Sequence, residues 1–208
     1  SATGIPFGVL VGHQRRGRLQ HAGTDEVLGS DELDPFGLSP LLARQSGARL
    51  IEFNLVADPE GYCMQIKHQN PRPTLAGMPP DGSVTLIRHN VFIKDDDPSG
   101  SGDRPNVLLG HFPLSGTGQN DLYEVYGNFF YHNPRQALFQ GEGNIALYSN
   151  VFFNSHDIAF PAIAIQPHND IPRRVRVVFN TIVHPGVGIR LLQRDDRRVD
   201  DQRAAALR

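Results

Sequence analysis

The chain has 208 residues and a mass of 23.0 kDa, which suits one domain. Its formal net charge of −2 gives no general attraction to nucleic acid or to an anionic membrane face. With 21 Gly, 16 Pro and 39% hydrophobic residues, the composition favours many short strands and turns over long helices. No apolar run approaches the ~18 residues of a membrane span, so none is expected.

Cysteine usage and the chain start say little about the cellular compartment. Cys63 is the only cysteine, so no intrachain disulfide can form. It lies in an apolar run, which predicts a buried and unreactive thiol. The chain starts at Ser1 without a signal peptide, which suggests a processed or truncated product.

Residues 1–49 show no periodicity. Short apolar runs at 5–11 and 33–42 are separated by polar, arginine-rich sequence. Two interpretations stay open for this segment: a cap over the first structural unit, or an irregular lead-in.

From residue 50 the chain repeats. Five segments centre on asparagine, at separations of 36, 38, 22 and 30 residues. They are IEFNLV, IRHNVF, VYGNFF, LYSNVF and VVFNTI, with their asparagines at Asn54, Asn90, Asn128, Asn150 and Asn180. The residues three before and two after each asparagine are apolar, and this alternation predicts two short strands. The asparagine between them suits a tight bend, because Asn tolerates the left-handed conformation and can bond its own backbone.

A third apolar strand follows in each copy. These strands are predicted within residues 63–68, 106–111, 137–142, 162–168 and 188–192. Three short strands in about 22 residues predict an all-β fold: a parallel β-helix of about five coils over residues 50–193.

The spacing and the in-line asparagines resemble the right-handed parallel β-helix superfamily, which includes pectate lyases, pectinases, and alginate and chondroitin lyases. The resemblance covers about residues 50–192. It implies a right-handed, single-stranded helix with a ladder of stacked bend asparagines. It also implies polysaccharide substrates and a bacterial, extracellular or periplasmic protein. The catalytic signatures of pectate lyases and polygalacturonases are not recognised in the sequence.

Loops rich in proline and glycine separate the copies. They are predicted at 69–83, 94–105, 113–121 and 168–174. The acidic loop residues Asp95, Asp96, Asp97 and Asp103 have oxygens that could hold Ca²⁺, although a solvated charge run is the simpler interpretation. Residues 194–208 are charged and then alanine-rich, which fits either a short helix over the last coil or a frayed tail.

A candidate site lies where the third strands end. Aligning these strands on Ile66, Leu109, Phe139 and Ile165 predicts an outward column of Lys67, Gly110, Gln140 and Gln166. Just beyond it come His68, His111, Glu142 and His168, followed by Asp170 and Arg173. Gly110 would leave open space in the column, and the long loops would wall a groove above it. Histidines from different coils lack a short-range ligand motif, so no zinc site is predicted.

The first hypothesis is cleavage of an acidic polysaccharide by β-elimination. Lys67 or Arg173 would neutralise the uronate carboxylate, and His111 or His168 would act as base. His68, Gln140, Gln166 and Asp170 would bind the sugar.

Two alternatives stay open. Glu142 and Asp170 could be the carboxyl pair of a glycoside hydrolase. A non-catalytic glycan-binding or surface module could use Tyr126 and Tyr148 as outward rings. The sequence favours a polysaccharide or oligosaccharide partner and predicts no nucleic acid, while oligomeric state is left undetermined.

Overall fold

The structure is a computed structural model that describes residues 9–11, 42–43, 49–59, 61–67, 70–76, 78–94, 104–110, 112–156, 159–167 and 171–193. These residues form seventeen β-strands and no helix. Every strand pair is parallel, and three sheets run along one axis. The described part of the chain therefore contains no helix long and apolar enough to cross a bilayer.

Sheet C comes first in each coil. Its strands are β3 (Arg49–Glu52), β6 (Val84–Arg88), β9 (Leu122–Tyr126), β12 (Gly143–Tyr148) and β15 (Pro172–Val178). After the asparagine bend the chain enters sheet A: β1 (Val9–Val11), β4 (Leu55–Ala57), β7 (Val91–Ile93), β10 (Phe129–Tyr131), β13 (Val151–Phe153) and β16 (Thr181–Val183). Sheet B follows: β2 (Leu42–Ala43), β5 (Met64–Lys67), β8 (Val107–Gly110), β11 (Phe139–Gly141), β14 (Ile163–Ile165) and β17 (Ile189–Leu191).

This order repeats C, A, B in each coil, and the predicted parallel β-helix with three strands per coil is confirmed. Strands β1 and β2 show that the stacking extends upstream of residue 49, with Val9–Val11 on sheet A and Leu42–Ala43 on sheet B. The other residues of 1–48, and the predicted tail at 194–208, lie outside the described residues.

The core fills the space between the three sheets. The predicted inward positions of sheets C and A are buried in the middle coils, as Ile87, Val125 and Leu147 are fully enclosed. Within the coil stack Phe92, Phe130 and Phe152 form a ladder of rings, with centroids 5.3 and 4.4 Å apart. Aromatic burial of this kind dominates core energetics.

The bend between sheets C and A carries the predicted asparagine ladder. Each amide Nδ2 donates to the Oδ1 of the asparagine in the next coil, at 2.9 Å for Asn54, Asn90 and Asn128 and at 3.0 Å for Asn150. Each also bonds a carbonyl of its own segment, as Asn128 does with Tyr126 at 3.1 Å. One detail differs from the prediction, because the residue before the asparagine adopts the left-handed conformation. Those residues are Phe53, His89, Gly127, Ser149 and Phe179.

A second amide network, which the sequence did not predict, holds the corner between sheets A and B. Asn106 is fully buried and donates to the carbonyls of Phe92, Tyr131 and His132 at 3.1–3.3 Å. Asn133 Nδ2 donates to Asn106 Oδ1 at 2.9 Å. These side chains satisfy backbone groups that leave the sheet ladders at the corner.

The predicted burial of Cys63 is confirmed. Enclosure in the core raises the pKa of its thiol to about 12, although the nearby Lys94 ammonium acts in the opposite direction. A thiol protonated at all ordinary pH values is a poor nucleophile.

Candidate functional site

The candidate site lies at the corner between sheets B and C, where sheet B ends. Lys67 pairs with Gly110, and the next coils place Glu142 and then Gln166 in the same outward row. The row follows from the backbone bonds, since the Glu142 N–H donates to the Leu109 carbonyl and the Gln166 N–H to the Gly141 carbonyl, both at 3.1 Å. Strand alternation then turns these side chains outward together.

The predicted register was wrong by two residues in one coil. Phe139 pairs with Val107 and Ile163, so Gln140 lies beside Leu108 and Ala164 and not beside Gly110. In this coil the inward position next to Leu109 and Ile165 is taken by Gly141, which has no apolar side chain to mark it as a core residue. Its space is filled by neighbours, since a Cβ there would lie 2.4 Å from Ile145 Cδ1. A hydrophobic pattern therefore cannot detect this position.

In the observed register Glu142 lies in the outward row between Gly110 and Gln166. Glu142 is buried, and its side chain lies against Gly110. A Cβ on Gly110 would lie 2.4 Å from Glu142 Cγ. The space that the sequence left open above Gly110 is thus occupied by a carboxylate-bearing side chain.

Lys67 is half-buried next to this carboxylate. Burial lowers the pKa of the Lys67 ammonium, the Glu142 carboxylate acts to raise it, and the Arg104 guanidinium acts to lower it. The direction shows that loss of hydration outweighs the attraction of Glu142. The Glu142 carboxylate is therefore close enough to act on the half-buried Lys67 ammonium.

Arg104 is a member of this site that the sequence did not single out. Its guanidinium lies over the ring of Tyr62, 6.0 Å from the centroid. Its carbonyl accepts hydrogen bonds from Lys94 Nζ at 2.7 Å and Asn133 Nδ2 at 2.9 Å. Burial raises the pKa of the Tyr62 phenol, against the opposing effect of Arg104. No motif marks Arg104, because it belongs to the loop at 94–105, which leaves from the A–B corner and not, as predicted, from the B–C corner.

Two half-exposed amide side chains, Gln140 and Gln166, also lie on the outer face of sheet B. Gln166 lies in the row of Lys67 and Glu142, and Gln140 lies in the parallel row of Gln65, Leu108, Ala164 and Arg190. Arg190 lies over Phe160 at 5.9 Å from the ring centroid. The outer face of sheet B therefore carries cations, a carboxylate and amides in two adjacent rows.

The loops at the B–C corner interlock beside the site, as predicted for 69–83 and 113–121. Arg72 and Asp121 form a buried ion pair, with Nη2 to Oδ1 at 3.1 Å. The same guanidinium donates to the carbonyls of Pro79 and Pro80, and Asp121 accepts the Ser83 N–H at 3.0 Å. The pairing of Arg72 with Asp121 could not be found from spacing, because both residues lie in irregular loops.

Arg173 lies against these loops. It donates through Nη1 to the Gln119 carbonyl at 2.7 Å and through Nη2 to the Pro113 carbonyl at 3.1 Å. This placement gives Arg173 a role in holding the loop at 112–121. The structure does not bring it together with Lys67 in any described contact.

Several predicted site residues lie outside the described residues. They are His68, His111, His168, Asp170 and the acidic loop residues Asp95, Asp96, Asp97 and Asp103. Among the residues that are described, no group of three or more His, Cys, Asp or Glu side chains could hold a metal ion.

Tyr126 and Tyr148 stack on each other on the outer face of sheet C, as the third hypothesis required. Their centroids are 5.0 Å apart and their planes differ by 7°. Arg88 lies 6.0 Å from the Tyr126 centroid and donates to its hydroxyl at 2.9 Å. Each ring therefore covers one face of the other, and that face cannot stack on a sugar ring.

Comparisons with known proteins add no assignment. A scan of protein-family models, a search of curated proteins and a search of solved structures each find no match to this chain.

Proposed function

We propose that this protein is a pectate-lyase-like polysaccharide lyase that cleaves an acidic polysaccharide on the outer face of sheet B. The observation that carries the proposal is the half-buried Lys67 ammonium beside the buried Glu142 side chain, at the edge where the loops emerge. A substrate of this class would place the protein outside the cytoplasm, in the medium or the periplasm.

The charges of this site suit a uronate. Lys67 and Arg104 contribute two positive charges and Glu142 one negative charge, which leaves one net positive charge among these three groups. Because Lys67 has lost part of its hydration, a substrate carboxylate can replace water at modest cost. Gln140 and Gln166 supply amide donors and acceptors for sugar hydroxyls.

Elimination needs three groups. A base removes the C5 proton, the C5–H electrons form the C4–C5 double bond, and the C4–O bond breaks as the leaving oxygen receives a proton. Lys67 neutralises the adjacent carboxylate and so stabilises the charge that develops at C5. His111 and His168 are the candidates for base, on the sequence prediction alone.

The test is a screen of polyuronates for unsaturated products by ultraviolet absorbance. Lys67→Met should reduce turnover at least a hundredfold, a loss typical for one electrostatic catalytic group. His111→Ala and His168→Ala should identify the base. Arg135→Gln removes an exposed cation elsewhere and should leave the rate unchanged. Normal rates in all three site variants would remove the assignment.

The buried position of Glu142 favours glycoside hydrolysis as the second candidate, because a carboxyl group in a water-poor site suits a general acid. Asp170 would be its partner carboxylate. New reducing ends without ultraviolet absorbance, lost in Glu142→Gln, would select this reaction over elimination. Binding without any product would select the non-catalytic module.

A further inference from the structure

A groove on the outer face of sheet C shares no lining residue with the Lys67–Glu142 site. It encloses about 610 Å³ and crosses the starts of the sheet C strands. Val84 and Leu122, which pair across β6 and β9, give it an apolar floor. Asn120, from the interlocked loops, lies at its rim.

Two arginines form one side of this groove. Arg174 and Arg176 are exposed and two residues apart on β15, so they point to the same face of the strand. Arg174 reaches over the neighbouring coil, with Nη2 3.4 Å from the Asn120 carbonyl and Nε 3.4 Å from Asn144 Oδ1. These are long hydrogen bonds, and each guanidinium has five N–H donors, so both arginines retain donors for a ligand.

We propose that this groove binds an anionic glycan chain. The guanidiniums would hold carboxylate or sulfate groups, which they match in charge and in planar geometry. The C–H face of a sugar ring would pack on Val84 and Leu122, and the groove runs across neighbouring coils as an extended chain does. Among the described residues that line the groove none is aromatic, so these residues offer no ring on which a nucleic acid base could stack.

Two carboxylates, those of Asp81 and Glu124, lie near the groove and set the expected effect of charge on binding. Asp81 lies at the rim, where it accepts hydrogen bonds from the Gly118 N–H at 2.7 Å and the Asn120 side chain at 2.7 Å. Glu124 lies in the same outward row as Arg176, with Ala146 between them. Its charge opposes an anionic ligand, so neutralising Glu124 should strengthen binding while neutralising the arginines weakens it.

The experiment measures affinity of the full chain by calorimetry in a Lys67→Met background, where the proposed cleavage is blocked. The probes are polygalacturonate, alginate and heparin, with neutral dextran and duplex DNA as comparisons. At least one acidic glycan should bind, and Arg174→Gln/Arg176→Gln should weaken that binding about tenfold, as expected for exposed charge-assisted hydrogen bonds. Glu124→Gln should tighten it about twofold, and Arg135→Gln should not change it.

Binding of no acidic glycan, equal binding by the double arginine variant, or tighter binding of DNA would each overturn the proposal. If the double variant unfolds, Arg176→Gln alone tests the same point, because Arg176 is exposed at the strand surface. The proposed lyase activity is judged by unsaturated product with Lys67 intact. Either result can therefore fail without the other.

Discussion

The bend between sheets C and A and the corner between sheets B and C differ in how strictly they repeat. At the bend, every described coil makes the same turn, with one asparagine whose amide bonds the next. At the corner, the chain either turns within the single residue Glu142 or leaves for a long loop, as after Lys67. The bend therefore sets the coil stacking, and the corner is free to carry function.

This difference has a physical basis. Stacked bends hydrogen-bond to one another, so a change in one coil disturbs two neighbours. A loop that leaves the stack needs only to satisfy its own backbone, and it can vary in length at little cost. Function is thus expected where the repeat is broken.

The largest effect is expected at the bend. Asn128→Ala removes side-chain bonds to Asn90, Asn150 and the Ile87 carbonyl, and leaves buried polar groups unsatisfied. We expect a loss of about 4 kcal/mol in the free energy of unfolding, since each such group costs ~1–3 kcal/mol. Urea unfolding measures this loss. Asn120→Ala, at an exposed amide, should cost under about 1 kcal/mol, and a similar loss in both variants would contradict the special role of the bend.

At the corner, the strongest effect is expected from the buried ion pair of the loops. Asp121→Ala leaves Arg72 buried without its carboxylate, which should cost about 3 kcal/mol. Arg72→Ala/Asp121→Ala should cost less than the two single losses added, because the pair is removed together. Limited proteolysis should show cutting within 70–83 in the single variants. Additive losses with protected loops would show that the pair does not hold them.

The sequence predicted the bend because its signals repeat. Five asparagines with apolar residues at fixed offsets are sufficient to place sheets C and A in register. The strand order, the inward side chains and the ladder all follow, and all are confirmed. Only the left-handed residue was misplaced, because a bulky Phe53 or Phe179 is an uncommon residue there.

The corner was predicted less well because its key positions are glycines. Gly141 takes an inward position that other coils give to Leu109 or Ile165, so Phe139 was taken as the inward residue. Lys67 and Gln166 were predicted to share one outward row, and they do, whereas Glu142 was placed just beyond that row and its alignment needed the backbone hydrogen bonds. Arg104 was missed because it belongs to a loop at the A–B corner, where its carbonyl is bonded, and no sequence pattern indicates that its side chain reaches Lys67.

Gly110→Ala tests whether the close approach of Glu142 matters. The added Cβ would lie 2.4 Å from Glu142 Cγ, at a φ of +155°. Overpacking of this kind costs about 2 kcal/mol and would move the carboxylate away from Lys67. Gly188→Ala, directly before the sheet B strand β17, is the control, since its nearest contact would be an ordinary 3.5 Å. Equal thermal stability of the two variants would show that Glu142 moves without cost.

The lowered pKa of Lys67 can be tested by amine labelling. The chain has only two lysines, Lys67 and Lys94, and Lys94 is buried. Below the pH at which an ordinary lysine loses its proton, Lys67 should react with an acylating reagent faster than a lysine in an unfolded peptide of the same sequence. Mass spectrometry measures the rate of modification. A slower rate at every pH would contradict the direction of the shift.

The same shift fixes the sign of a pH effect on stability. Because the folded pKa of Lys67 lies below the unfolded pKa, the unfolded chain binds more protons in the interval between them. Stability contributed by this group should therefore rise with pH across that alkaline interval. In Lys67→Met the urea-unfolding midpoint should rise less with pH over this interval. An unchanged pH dependence of the midpoint would show that other groups cause the rise.

The smallest effect is expected on the outer face of sheet C, next to the bend. Arg88 Nε donates to Glu52 Oε2 at 2.7 Å, and its Nη1 donates to the Tyr126 hydroxyl. Both side chains are partly exposed, at 32% for Arg88 and 16% for Glu52, and ion pairs near the surface are screened by salt. Arg88→Gln should therefore leave the unfolding midpoint within error at physiological salt. The same substitution at low salt should give a small loss. A large loss at both salt concentrations would mean that the outward rows, and not only the buried asparagines, hold the coils together.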